Sequence, residues 1–177
     1  MVEKYVRENQ NTAPWQNFKF SFIFDGPSPM GTGGAIRNAL ISKQGTNTLV
    51  TYGDNLLSVK EEDIQYISGQ TEQDLVLTIN HKSHNGVRGN VKKITEHTAI
   101  YTSQETAKHV DYGLFFINSS VAKYMPTTTF DFSSWLKEYS QTKPFGCWEI
   151  YSRYYEINDP SAFEQTRKFV ETNRDLF

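Results

Sequence analysis

Cysteine is nearly absent: Cys147 stands alone among 177 residues. One thiol cannot close an internal disulfide, and a lone cysteine fits a reducing compartment. Cys147 reads as a small packing residue beside Trp148. Surplus positive charge is missing too, with 18 Lys and Arg against 20 Asp and Glu, a net charge of -2 and a pI near 6.1. No basic face is forced, so a nucleic-acid partner has no electrostatic support. No long apolar run occurs, and Phe22-Ile23-Phe24 is far too short to cross a bilayer. Residues 1–15 carry Glu3, Lys4, Arg7 and Glu8 and read as neither a signal peptide nor a membrane span. There is no Walker loop, nucleophile elbow or Cys-His arrangement. These absences predict a soluble, cytoplasmic protein without a membrane or nucleic-acid partner.

What is present is aromatic and glycine-punctuated. Aromatic residues make up 14% of the chain, so a core rich in Phe and Tyr is expected. The length suits one domain with a real core. Val2, Tyr5 and Val6 lie at helical spacing and predict a short opening helix. Residues 18–24 predict a Phe-rich strand, bounded by Gly26, Pro27 and Pro29. Gly31-Thr32-Gly33-Gly34 then leads into a helix over 34–41, and Leu49–Tyr52 reads as a buried strand ending at Asp54. Strand, glycine turn, helix, strand and carboxylate is the order that builds nucleotide sites at the carboxyl edge of a parallel sheet.

Further along, Ser58-Val59-Lys60-Glu61 predicts a capping box and a helix with Ile64 and Ile67 inward, ending near Gly69. Residues 74–79, 91–94 and 109–117 read as strands, with 95–108 as an irregular connection. Phe132, Trp135, Leu136 and Tyr139 predict an amphipathic helix. Residues 147–151 and 154–157 predict a last pair of strands. Asp159-Pro160 then caps the closing helix. No repeat or linker interrupts this single α/β domain, residues 1–177.

Several residues could carry chemistry. Glycines at 31, 33 and 34 allow close backbone approach to a ligand, or form only a structural turn. Thr32 and Arg37 add polar contacts, although an arginine there is more often a solvated helix residue. Asp54, at a strand end, could hold magnesium through carboxylate oxygen, or simply stabilise a turn. Glu156 could be a second metal ligand across the same edge, or a solvent-facing strand residue. Asp111-Tyr112-Gly113 opens an apolar strand, where the glycine permits close approach or forms a bulge. His81 and His84 read as surface residues without metal-ligand spacing. His97 and His109 show no evident partner in the sequence.

Four segments in order carry a resemblance. They are Met30–Ala39, Val50–Leu56, Val110–Leu114 and Arg153–Pro160, reading MGTGGAIRNA, VTYGDNL, VDYGL and RYYEINDP. Together they resemble the sugar nucleotidyltransferases, the nucleotide-sugar pyrophosphorylases. The resemblance implies a three-layer, Rossmann-like α/β fold with a mixed, mostly parallel sheet. It implies transfer of a nucleotidyl group from a nucleoside triphosphate to a sugar 1-phosphate, with Mg2+ as cofactor. Gly31, Thr32, Gly33 and Gly34 would bind the nucleotide, Asp111 and Gly113 the sugar phosphate, and Asp54 and Glu156 the metal. No catalytic residue is assigned.

The sequence also departs from that family. Asn158 and Asp159 stand where it commonly has Gly and then Ser or Thr. A sugar-phosphate lysine has no clear match between Val91 and His109. The family's N-terminal unit, with its glycine-rich loop and arginine, has no counterpart, so the fold is expected to be truncated at the N-terminus. The expectation is a piece of a longer protein. Alternatives are a second chain that supplies the missing half, a homo-oligomer, or a non-catalytic sugar-nucleotide-binding module. A dinucleotide-binding oxidoreductase is a further alternative, because Asp54 follows Gly31-Thr32-Gly33 at fingerprint spacing. Against it, Ile36 occupies the sixth position, and the loop before the glycines contains proline.

Overall fold

A computed structural model of the chain describes residues 1–43, 45–81 and 88–174. His84 lies outside the described residues. The helices are α1 (Val2–Asn9), α2 (Gly31–Ser42), α3 (Glu61–Gly69), α4 (Phe132–Thr142) and α5 (Pro160–Thr172). The strands are β1 (Asn47–Thr51), β2 (Asn55–Leu56), β3 (Leu75–His81), β4 (Val91–Lys93), β5 (Thr98–Tyr101), β6 (His109–Asn118), β7 (Phe145–Glu149) and β8 (Tyr155–Glu156).

A six-stranded sheet runs β1-β6-β3-β7-β5-β4, and β2 and β8 form a separate two-stranded ribbon. The sheet is mixed, as expected, but it is not mostly parallel. Only β3 and β7 pair in parallel among the described strands; β1–β6, β3–β6, β4–β5, β4–β6 and β5–β7 are antiparallel. The reason is β6, a ten-residue strand that runs between β1 and β3 and bonds antiparallel to both.

Alternation along β3 and β6 builds three layers. Leu75, Leu77, Ile79, Phe115 and Ile117 face α2 and α4, where they meet Leu40, Phe132, Trp135 and Leu136. Val76, Leu114 and Phe116 face the other way, onto Ile67 of α3. Side chains at successive strand positions point to opposite faces, so a strand buried on both reads as a continuous apolar run. Phe115 stacks on Phe132 at 4.9 Å between ring centroids, which ties the sheet to α4. Truncating a fully buried Phe of this kind costs about 3–5 kcal/mol.

Several expectations need correction. Residues 18–24 form no strand: Phe18 and Phe24 are 63% and 68% exposed. A strand exists only through its ladder partner, and no described strand pairs with this segment. Instead its rings make local contacts, Trp15 with Phe20 and Arg7 over Phe22. The α3 cap lies two residues after the predicted one, where Lys60 N–H donates to Asp63 Oδ2 at 3.1 Å. Ile67 is fully buried, but Ile64 is exposed. Residues 98–101, placed in an irregular connection, form β5, because β7 offers them an edge. β7 and β8 do not pair with each other: β7 joins β3 and β5, and β8 joins β2.

The expectations for Asp159 and Cys147 hold. Asp159 Oδ1 accepts from Ala162 N–H at 2.8 Å and caps α5, with Pro160 as its first residue. Cys147 is a free, buried thiol, and burial pushes it up to about 11. No helix among the described residues is long and apolar enough to cross a membrane.

Candidate functional site

A bulge at the start of β6 creates the site. The β3–β6 register passes from Leu77↔Phe115 to Ile79↔Asp111, so β6 holds extra residues between those rungs. Gly113 absorbs the distortion at φ 88°. A Cβ there would lie 2.2 Å from Asn55 Nδ2. Gly113 therefore forms the bulge, and the group that approaches it closely is the Asn55 side chain. Bulges beside ligand sites re-aim a neighbouring side chain, and here that residue is Asp111.

Asp111 is pinned from two sides. Its Oδ1 accepts from Gly113 N–H at 2.9 Å, and its Oδ2 accepts from the Tyr52 hydroxyl at 3.0 Å. Burial raises its carboxyl to about 6, and these two hydrogen bonds pull against that rise. Asn90 fixes the backbone behind it, with Oδ1 accepting from Asp111 N–H and Nδ2 donating to the Tyr101 hydroxyl. Burial, together with the neighbouring Asp111 charge, pushes both the Tyr52 and Tyr101 phenols far up, so they stay protonated donors.

These groups line a cleft of about 380 Å3 that also takes in Thr32, Asn55, Asp131, Tyr154 and Glu156. Thr32 joins the starts of two helices: its hydroxyl donates to Asp131 Oδ2 at 3.0 Å and accepts from Phe132 N–H at 2.9 Å. Asp131 also caps α4 through Ser134 N–H. Its carboxyl is held below the usual range, chiefly by the Ser133 hydroxyl. Arg88 is the cation that the described residues place on the cleft wall, and it donates to Ser103 O at 3.0 Å. Asn55 Oδ1 is buried without a hydrogen-bond partner among the described residues.

The structure thus gathers Thr32, Asp111 and Glu156 at one cleft, with Gly113 beside it. The other glycines are engaged elsewhere. Gly33 N–H donates to Phe130 O, and a Cβ on Gly33 would meet the Phe130 ring at 2.1 Å. Gly31, at φ 75°, sits against the Phe130 carbonyl, and Gly34 sits against Met30. Asp54 is exposed and does not line the cleft. In the β2–β8 ribbon, Asn55 is opposite Glu156, and both face the cleft; Asp54 precedes this rung and meets Ile157 only through its carbonyl. Sequence reasoning missed Tyr52, Asn55, Asn90, Tyr101, Asp131 and Tyr154. Only Asp131 left a signal, as an Asp before Phe132-Ser133-Ser134 at a helix start.

The cleft's donors suit magnesium by type, being carboxylate and amide oxygens. The unpartnered Asn55 Oδ1 beside Glu156 is the clearest such acceptor. No group of three or more His, Cys, Asp or Glu among the described residues forms a ready metal cage. Magnesium commonly uses one or two carboxylates together with substrate phosphates, so such a cage is not required.

His97 and His109 do have partners. His97 Nδ1 lies 3.3 Å from the Tyr66 hydroxyl, and His109 Nε2 lies 3.2 Å from Glu149 Oε1.

The fold is that of the sugar nucleotidyltransferases. No family model matches the sequence, and no curated protein matches it. Among solved structures, HddC from Yersinia pseudotuberculosis superposes with a TM-score of 0.68 at 18% identity, covering 95% of this chain and 73% of its own. HddC has also been solved complexed with GMP-PN. A protein assigned as a glucose-1-phosphate thymidylyltransferase from Bacillus anthracis gives 0.73 at 12% identity, covering 95% and 70% of the two chains. A UDP-glucose pyrophosphorylase complexed with UDP-glucose gives 0.68 at 11% identity, covering 97% and 73%.

Proposed function

We propose that this chain carries the sugar-phosphate side of a nucleotidyltransfer site, joining a nucleoside triphosphate and a sugar 1-phosphate. One observation carries this reading. Asp111 is a fixed carboxylate in a cleft of tyrosine hydroxyls, asparagine and carboxylates, a surface suited to sugar hydroxyls. The fold supports it, since a solved neighbour is a pyrophosphorylase complexed with UDP-glucose.

In the proposed reaction an oxygen of the sugar 1-phosphate attacks the α-phosphorus of the triphosphate. That bond forms as the bond to the bridging oxygen of the β-phosphate breaks, and pyrophosphate leaves. The chain contributes by positioning and electrostatics, with no covalent intermediate. Asp111 accepts from the sugar, and Tyr52 and Asn90 hold it in place. Gly113 keeps the floor open. Thr32 marks the nucleotide wall, where Gly31, Gly33 and Gly34 act by shape, letting Phe130 and Met30 pack close behind it. Glu156 and the unpartnered Asn55 Oδ1 are the proposed magnesium ligands within the cleft, with Asp54 a candidate from just outside it; magnesium, when bound, would supply positive charge to the phosphate oxygens.

A second reading is a sugar-nucleotide-binding module without turnover. One observation favours it: among the described residues the cleft wall presents Asp111, Asp131 and Glu156 but only Arg88 as a cation, already bonded to a carbonyl. The test measures pyrophosphate release and ligand binding with panels of triphosphates and sugar 1-phosphates plus magnesium. Under the first reading, Asp111→Asn and Glu156→Gln each lower turnover by about a hundredfold. Binding without release selects the second reading. No binding at millimolar concentrations sinks both. If Asp54→Ala leaves magnesium-nucleotide binding unchanged, Asp54 is not a ligand.

A further inference from the structure

A second cavity, of about 460 Å3, opens beside the latter half of α2, where Arg37 meets the turn that follows β6. Asp111 lies near the start of β6 and Asn118 at its end, so strand rise separates this cavity from the cleft by roughly 20 Å. Its chemistry is also opposite. Arg37 and Lys123 line it with Ser119 and Ser120, and among the described residues no carboxylate does. In a chain of net charge -2, an acid-free cavity with two cations is a specific local arrangement.

One donor there is unspent. Arg37 Nε is buried and has no acceptor among the described residues. Neither Arg37 nor Lys123 pairs with a carboxylate among the described residues. Lys123 Nζ sits over the Tyr124 ring at 4.8 Å, which orders it without neutralising it. Ser119 Oγ accepts from Gly45 N–H at 3.0 Å, which leaves its own proton free to donate. Asn118 braces the turn, accepting from Ser120 N–H and donating to Asn47 Oδ1. A buried guanidinium N–H without an acceptor is costly. A ligand rich in oxygen and negative charge removes that cost.

We propose that this cavity is an oxyanion site that binds a phosphate group, independently of the cleft. Planar guanidinium N–H groups, an ammonium and hydroxyl donors, with no competing carboxylate, form the donor set that phosphate recognition uses. The phosphate comes either as the free inorganic ion or on a small metabolite, and both present the same oxygens to Arg37 and Lys123.

The experiment titrates the whole chain with inorganic phosphate, then with glucose 6-phosphate, at constant ionic strength, following backbone amides by NMR. The expected result is saturable shifts at Gly45, Ser119, Ser120 and Lys123. Arg37→Gln and Lys123→Gln should each weaken binding by about tenfold, consistent with loss of one charge-assisted hydrogen bond. Stronger binding of glucose 6-phosphate identifies a phosphorylated metabolite as the source, and equal binding identifies the free ion. Because Lys123 is exposed, its variant tests the site even if Arg37→Gln perturbs folding. Absent or non-saturating shifts, or shifts equal in wild type and Lys123→Gln, would overturn the proposal. So would shifts reproduced by chloride at matched ionic strength.

Discussion

Tyr52 and Asp111 meet across 59 positions of sequence, the phenol donating to the carboxylate at 3.0 Å. This bond offsets part of what burial does to Asp111. Tyr52→Phe removes it, so the Asp111 carboxyl moves further up from about 6. At neutral pH the ionised population then shrinks. Carbon-detected NMR titration reads the shift directly, and sugar-phosphate affinity should fall with it by about tenfold.

Asp111 also links site chemistry to stability. Its folded pKa, about 6, lies above the ordinary aspartate value of 3.8. The fold therefore binds that proton more tightly than the unfolded chain does. This contribution is full below about 4 and is lost as pH rises through about 6. Asp111→Asn should flatten that slope and raise stability at pH 7 while weakening ligand binding. Urea midpoints between pH 4 and 7, taken with binding isotherms, check both halves. A variant that loses stability at pH 7 contradicts the assignment.

His109 behaves in the opposite sense. Burial lowers its pKa, and the attraction of Glu149 only partly counters that. The unfolded chain takes up the proton first, so stability holds above about 6.5 and falls as pH drops below it. His109→Gln should remove this acid-side loss. Glu149→Gln should lower the imidazole pKa further, as measured by proton NMR of the ring.

Gly113 tolerates little. At φ 88°, with Asn55 Nδ2 at 2.2 Å from an added Cβ, alanine meets both backbone strain and a clash. We expect Gly113→Ala to destabilise by about 1–3 kcal/mol. Denaturant unfolding measures it. Asn55→Ala in the same background should recover the clash part but not the strain.

Thr32 offers a separate test of how the two helix starts are joined. Thr32→Val loses both its donation to Asp131 and its acceptance from Phe132 N–H. A cost of about 1–2 kcal/mol is expected, and Thr32→Ser should restore most of it. Thermal unfolding of the three proteins distinguishes the hydroxyl from the methyl group.

Local chemistry determined what could be read from sequence alone. The capping of α5 by Asp159, the amphipathic α4 from Phe132 to Tyr139 and the apolar β3 and β6 each depend on neighbours along the chain. The order of glycines, carboxylates and strands was also enough to point to the fold. Tertiary structure decided the rest, because it depends on partners distant in sequence. The Phe-rich stretch at 18–24 had strand composition but no ladder, whereas 98–101 gained one from β7. His109 found Glu149, and Asn90 found Tyr101 and Asp111, by strand register. The same geometry separated Asp54 from Glu156: one step in register put Asn55 and Glu156 on the cleft and left Asp54 outside it. In a strand, one residue is the difference between two faces, and sequence spacing alone does not say which face meets the ligand.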